Sequence, residues 1–183
     1  MLRDHGLHDV KVVSVQGRLT DHYNPADKTV NLSPEIYEGR SVMATAVAAH
    51  ECGHALQHAQ AYSWLTLRSQ LVPLVSISSK LMNVIFLVGM FGAFALKFPF
   101  DIIILVVIAA QAIIALFSVI TLPVEYDASN RALAWLNQSG IAGREEMEGA
   151  QDALKWAART YLVAAIAAVT TLLYYVLSYL SNR

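Results

Sequence analysis

The run Ile102 to Leu122 holds 21 consecutive residues without a charge, and Tyr161 to Leu180 holds another 20. About 20 such residues are what a helix needs to cross the hydrocarbon of a bilayer. Backbone placed there must satisfy its own hydrogen bonds, which leaves helices or closed barrels. The two runs therefore restrict the chain to a mainly α membrane protein. A third span precedes them. Leu81 to Leu96 gives 16 uncharged residues, short for a crossing, but Ser69 to Ser79 is uncharged as well. A helix from about residue 71 spans comfortably if Lys80 snorkels or faces protein. Composition agrees: 56% of residues are hydrophobic, 15% are charged, and mean hydropathy is +0.45. Ordinary soluble domains are less apolar than this.

"KFPFD", residues 97 to 101, is a tight polar break, so the first two spans form a hairpin and the chain returns to the side it left. Residues near 50 and near 125 thus share a side. Arg68, Arg131, Arg144, Lys155 and Arg159 lie on that side, against Lys97 and Arg183 on the other. The excess of basic residues makes it the cytoplasmic one. Net charge is −1, so the basic footprint of a nucleic-acid binder is missing. The single cysteine, Cys52, excludes an internal disulfide framework. "MLRDHGLHDV" has no apolar run of the kind a secretory leader carries.

Outside the spans, "VKVVSV" (10–15) and "KTVNL" (28–32) have the β-branched content of short strands. "GRLTDHYNPAD" between them carries turn residues, so a small β-hairpin or sheet is expected. Ser33 and Pro34 suit a helix start. A longer helix is expected from about Ser41 to Gln60, rich in alanine and free of proline. Thr121 and Pro123 look like a further helix start and Gly140 like its stop. "GREEMEGAQDALKWAART" reads as an amphipathic approach to the last span, with its glutamates where a helix dipole favours acids. The expected organisation has four parts. Residues 1–68 form a soluble part with a β-hairpin and the long helix. Residues 69–122 form a transmembrane hairpin with spans at about 71–96 and 102–122. Residues 123–160 hold a helix completing the site and an amphipathic linker helix. Residues 161–183 hold the third transmembrane helix and the C-terminus.

Within the long helix, "AVAAHECGHALQH" contains His50, Glu51 and His54 in the order H-E-x-x-H. Two imidazoles one helical turn apart can share a zinc ion, and the glutamate beside the first can act as a base toward water. Alanines and a valine surround the motif, and a carboxylate in such a setting is costly without a partner. A catalytic zinc site takes three protein ligands and keeps one position open. His58 continues the series, but it lies about 12 Å from His50 along a helix, too far to share an ion. Cys52 points about 200° around the helix from His50, so packing is its expected role. The better third ligand is an acid from another helix. "TLPVEYDASNRA" supplies Glu125 just past the second span, with Asp127 two residues on and pointing elsewhere. Glu125 on the metal with Asp127 supporting from behind is the natural division.

These motifs carry a specific resemblance. "VAAHECGHALQHA", a hydrophobic hairpin and "LPVEYDASNRA", together with "GRLTDHYNP" and "GREEMEGAQDAL", resemble the YugP-type bacterial membrane zinc metallopeptidases over nearly the whole chain. The resemblance implies a zincin-like peptidase at the membrane surface with one Zn2+ per chain. In it His50, His54 and Glu125 match the metal ligands and Glu51 the catalytic base. Members of that family usually begin with a further hydrophobic segment ahead of "LHDVKV", so the expectation is a shortened form lacking one anchor. The more distant HtpX-type and CAAX-prenyl endoproteases place an Asp four residues after the ligand Glu. Here that position is Ser129, and Asp127 is the expected substitute.

The expected function is a zinc-dependent endopeptidase of the bacterial inner membrane, multi-pass, with its site on the cytoplasmic side. Its expected partners are the lipid bilayer and a peptide or membrane-protein substrate, with no nucleic acid. A metal-activated water would attack the peptide bond, Glu51 taking its proton. Candidates for stabilising the oxyanion are His22 and Tyr23, from the loop before the helix, and Arg131, past Glu125. A non-hydrolytic metal-binding membrane scaffold or assembly factor is the alternative. Retention of Glu51, which is not needed to hold zinc, speaks against it. A transporter is weaker still, because spans two and three contain no ionisable residues.

Overall fold

The computed structural model of the chain describes residues 1–92 and 100–181. It is a mainly α membrane protein with a small α+β part. After a 3-10 turn at Arg3–His5 come strands β1 (Lys11–Ser14), β2 (His22–Asn24) and β3 (Thr29–Leu32). Helices α1 (Pro34–Tyr37), α2 (Val42–Ala59), α3 (Ser63–Gly92), α4 (Phe100–Ser139) and α5 (Arg144–Ser181) follow. Two compact units result. One comprises Met1–Thr66 with Pro123–Thr160, the other Leu67–Leu122 with Tyr161–Arg183.

In the first unit the sheet order is β1-β3-β2. β1 pairs parallel to β3, Val12 opposite Val30, and β2 pairs antiparallel to it, Tyr23 opposite Val30. The expected strands exist, but they do not form a hairpin with each other. The hairpin lies between β2 and β3, inside the stretch that composition assigns to turns. Parallel neighbours need a long crossover, and residues 15–28 provide it, with β2 on the way. Asn24 Oδ1 accepts from the Ala26 amide at 3.0 Å and Lys28 takes φ +55°, which turns the chain back into β3. Val30 and Leu32 then bury against Leu2 and Ala55.

Helix α2 starts where Ser41 accepts from the Ala44 amide at 3.1 Å. It ends in a left-handed turn at Ala61, φ +49°. The Tyr62 amide reaches back to the Gln57 carbonyl and the Ala61 amide to that of His58, the paired bonds of a Schellman stop. One face of α2 joins Ala132, Leu136, Ala150 and Leu154 through Ala46 and Ala49. Small residues at these contacts let the helices approach closely.

Among the described residues, three helices are long and apolar enough to cross a membrane: Ser63–Gly89, Asp101–Ser139 and Arg144–Ser181. In the second unit, Gln111 Nε2 donates to the Ala168 carbonyl at 3.1 Å, tying α4 to α5. Ile77, Phe86, Val163 and Leu177 are each more than 60% exposed, which suits hydrocarbon and not water. Three boundaries differ from expectation. α3 begins at Ser63, ahead of residue 71. Pro123 starts no helix, because α4 runs through it unbroken. Proline is tolerated in membrane helices, where neighbouring groups and local adjustment satisfy the freed carbonyl. The amphipathic stretch from Gly143 and the third span are one continuous helix, α5. Of the "KFPFD" break, residues 97–99 lie outside the described residues.

Candidate metal centre

Positions 50 and 54 share a face of α2 because four residues make slightly more than one helical turn. The rings meet edge to face, with centroids 4.8 Å apart. Opposite them, α4 presents Glu125, which is 2% exposed. Its Oε2 lies 3.3 Å from His50 Nε2 and 3.6 Å from His54 Nε2. One ligand atom from each of the three residues falls within 4.8 Å of the others. No other group of three His, Cys, Asp or Glu residues among the described residues converges in this way.

These distances are informative. Charge-assisted hydrogen bonds settle at about 2.7–2.9 Å, and both contacts are longer. Atoms placed about 2.1 Å from a shared tetrahedral ion lie about 3.4 Å from one another, which matches the two observed separations. Two imidazoles and one carboxylate are also a donor set that zinc accepts. Electrostatics agree. Burial on its own pulls the His54 pKa down, yet the Glu125 carboxylate overcomes it and leaves the pKa raised.

Close approach of α2 to α4 depends on Gly53. A Cβ there would meet the Ala128 carbonyl oxygen at 2.6 Å and the Ala128 Cα at 3.1 Å. The glycine between Glu51 and His54 therefore lets the two helix backbones nearly touch, one turn from Glu125.

Behind the donors stand other polar groups. His50 Nδ1 lies 3.1 Å from Ser129 Oγ. His54 Nδ1 lies 2.9 Å from Gln57 Oε1. Gln57 is fully buried, and its Nε2 donates at 2.8 Å to both the Val124 carbonyl and Asp127 Oδ2. Asp127 also takes the Arg131 Nε–H, while Arg131 donates through NH1 to Gln60 Oε1 at 2.6 Å. The Arg131 guanidinium stands 5.8 Å from the centre of the Tyr62 ring.

Glu51 is 8% exposed, and no hydrogen bond among the described residues restrains its carboxylate. Burial raises its pKa above the ordinary carboxylate range; His54 and His50 oppose the shift, and Glu125 and Asp21 add to it. Burial thus favours its protonated form more than in an exposed carboxylate. Asp21 itself accepts from the Ser33 amide and hydroxyl, which pins the loop before α1.

The structure thus brings together His50, His54 and Glu125, with Glu51 beside them and Asp127 one residue removed, behind Gln57. The three oxyanion candidates have other engagements. His22 is exposed and its Nδ1 sits 2.7 Å from the Thr20 carbonyl. Tyr23 OH lies 2.9 Å from His58 Nδ1. Arg131 is held by Asp127 and Gln60. Cys52 packs beside Ala48 on the opposite side of α2, as its angle on the helix requires. Two contributors escaped the sequence reading, Gln57 and Gly53. A glutamine buried on an alanine-rich face, and a glycine costing about 1 kcal/mol in a helix interior, were the available signals.

The chain matches, over residues 1–180, a family model described as "Putative neutral zinc metallopeptidase". A curated relative, "Putative membrane protease YugP" of Bacillus subtilis (strain 168), is 41% identical over 178 residues, covering 97% of this chain and 76% of that protein. No solved structure matches the chain.

Proposed function

Because this chain belongs to the neutral zinc metallopeptidase family, we propose that it is a zinc-dependent endopeptidase embedded in the bacterial cytoplasmic membrane. The observation that carries this reading is the convergence of His50, His54 and Glu125 beside a buried, unrestrained Glu51. A structural polar cluster has no use for a carboxylate held in that way.

In this reading His50 and His54 give their Nε2 atoms, and Glu125 a carboxylate oxygen, to one Zn2+. When bound, zinc supplies Lewis acidity toward water and the scissile carbonyl. Glu51 takes a proton from the attacking water and returns it to the leaving amine nitrogen. Its raised pKa makes the carboxylate, once ionised, an intrinsically stronger base than an exposed one. Asp127 supports the ligands from behind. His22, Tyr23 and Arg131 are candidates for stabilising the oxyanion only if substrate draws them from their present partners.

Glu125 follows the uncharged run Ile102–Leu122 by three residues on α4, which supports substrates presented at a bilayer, such as loops or tails of membrane proteins. The basic residues Arg68, Arg131, Arg144, Lys155 and Arg159 support a cytoplasmic site. The test is metal content together with casein cleavage, in detergent-purified protein. About one zinc per chain and cleavage by wild type, with both lost in Glu125→Ala, is the expected result. Wild type that binds no metal overturns the reading.

A further inference from the structure

Resting on the zinc-site reading, we propose that Gln57 is a positioning residue that fixes which nitrogen of His54 faces the metal. The inference follows from the direction of hydrogen bonds around one buried amide.

Gln57 has two kinds of polar atom and three polar neighbours. Two of the neighbours, the Val124 carbonyl and the Asp127 carboxylate, can only accept, and both lie 2.8 Å from the same terminal atom. That atom must therefore be the amide nitrogen, whose two hydrogens are then both used. Rotating the amide by 180° would set its oxygen against two acceptors in a fully buried place. The remaining atom, Oε1, accepts only, and it lies 2.9 Å from His54 Nδ1. His54 Nδ1 must then carry a hydrogen.

A neutral imidazole with a hydrogen on Nδ1 has its lone pair on Nε2. Nε2 is the atom that faces Glu125. The chain of constraint runs from the Asp127 carboxylate and a backbone carbonyl, through one amide, to the tautomer and ring orientation of a metal ligand. Asp127 thus acts on the site through an intermediary three residues after His54. Its own carboxylate is fixed by Arg131, whose other nitrogen holds Gln60 at the end of α2. Partners behind a ligand histidine typically change metal affinity by about 10–100-fold.

The experiment measures zinc affinity by competition with a chromophoric chelator, in the full-length detergent-purified protein. Wild type, Gln57→Leu, Gln57→Glu and the double variant Gln57→Glu/Asp127→Asn are compared. A second readout uses 15N-histidine-labelled, 113Cd-loaded protein to report which nitrogen of His54 couples to the metal. Gln57→Leu, which lacks the acceptor, is expected to lose about 10–100-fold in affinity. Gln57→Glu alone sets a carboxylate against Asp127 and is expected to lose as much. The double variant restores an acceptor toward His54 and removes the clash with residue 127 but not that with the Val124 carbonyl, so it is expected to recover part of the loss. Wild type is expected to couple through Nε2 with a hydrogen on Nδ1. Wild-type affinity in Gln57→Leu, or coupling through Nδ1 in wild type, overturns the proposal. So does a double variant no better than Gln57→Glu while its melting temperature equals that of wild type. If a variant does not fold, the coupling measured on wild type still decides. Wild type that binds neither zinc nor cadmium refutes the metal site itself, a separate outcome.

Discussion

Gly53 lies so close to Ala128 that a methyl group added to it would stand 2.6 Å from the Ala128 carbonyl oxygen. The obstacle is backbone in the middle of a helix, which cannot swing aside as a side chain can. Gly53→Ala is expected to push α2 and α4 apart and to destabilise the protein by about 1–3 kcal/mol. Because His50 and His54 flank this contact on α2, and Glu125 precedes it on α4, zinc affinity is expected to fall as well. Thermal melting and chelator competition read the two effects. An alanine variant that melts and binds zinc as wild type does would place the helices further apart than described.

Holding the metal and using it are separable. Under the proposed function, Glu51→Gln removes the base but no ligand, so it is expected to keep about one zinc per chain and to lose about 10²–10⁴-fold in kcat. Zinc analysis beside casein cleavage checks this. A glutamine variant that still cleaves would move the role of base to another group.

Ser129 stands 3.1 Å from His50 Nδ1, in the place where the more distant peptidases resembled by this sequence carry an Asp. Ser129→Ala leaves that nitrogen without its partner and is expected to weaken zinc binding by about tenfold. Ser129→Asp supplies a stronger acceptor and is expected to bind zinc at least as well as wild type. Equal affinity in all three proteins would mean that His50 needs no support from α4.

Cys52 gives a pH test of α2 packing. Burial raises its thiol pKa to about 11, so at pH 8 only roughly a thousandth of it is the reactive thiolate. Alkylation of the folded protein by iodoacetamide is expected to be slow and to rise about tenfold per pH unit towards pH 11. The denatured chain, with an ordinary thiol, is expected to react on the order of a hundredfold faster at pH 8. Rapid labelling of folded protein at neutral pH would show that this side of α2 is open.

Removing the metal is expected to lower the melting temperature of the unit that includes Met1–Thr66 and Pro123–Thr160. A ligand present at a thousand times its dissociation constant stabilises by about 4 kcal/mol. Differential scanning with and without chelator reads this. Glu125→Ala, having no such site, is expected to show no shift on chelation.

The spans and the donors were legible because each has a one-dimensional signature. Uncharged runs announce themselves by length, H-E-x-x-H by helical spacing, and Glu125 by following a span. The supporting parts have no such signature. Gln57 matters because of an amide direction settled by Val124 and Asp127, residues 67 and 70 positions away. β2 was hidden because His22 to Asn24 lies among turn residues and gains its pairing only from β3. Pro123 misled because local preference favours it at helix starts, whereas α4 carries it within. Asp127 is expected to support the site from behind, and it meets His54 through Gln57, a glutamine the sequence does not single out.

His50 and Glu125 are separated by 75 positions, and the uncharged run Ile102–Leu122 lies between the segments that hold them. A ribosome therefore delivers the H-E-x-x-H helix first and the completing carboxylate much later, after the whole of Ile102–Leu122 has been made. A nascent chain stopped before Glu125 carries a base and two imidazoles but no third donor. Under the proposed function, the order of synthesis thus works as an interlock, in which the third donor arrives only once the uncharged run Ile102–Leu122 has been translated.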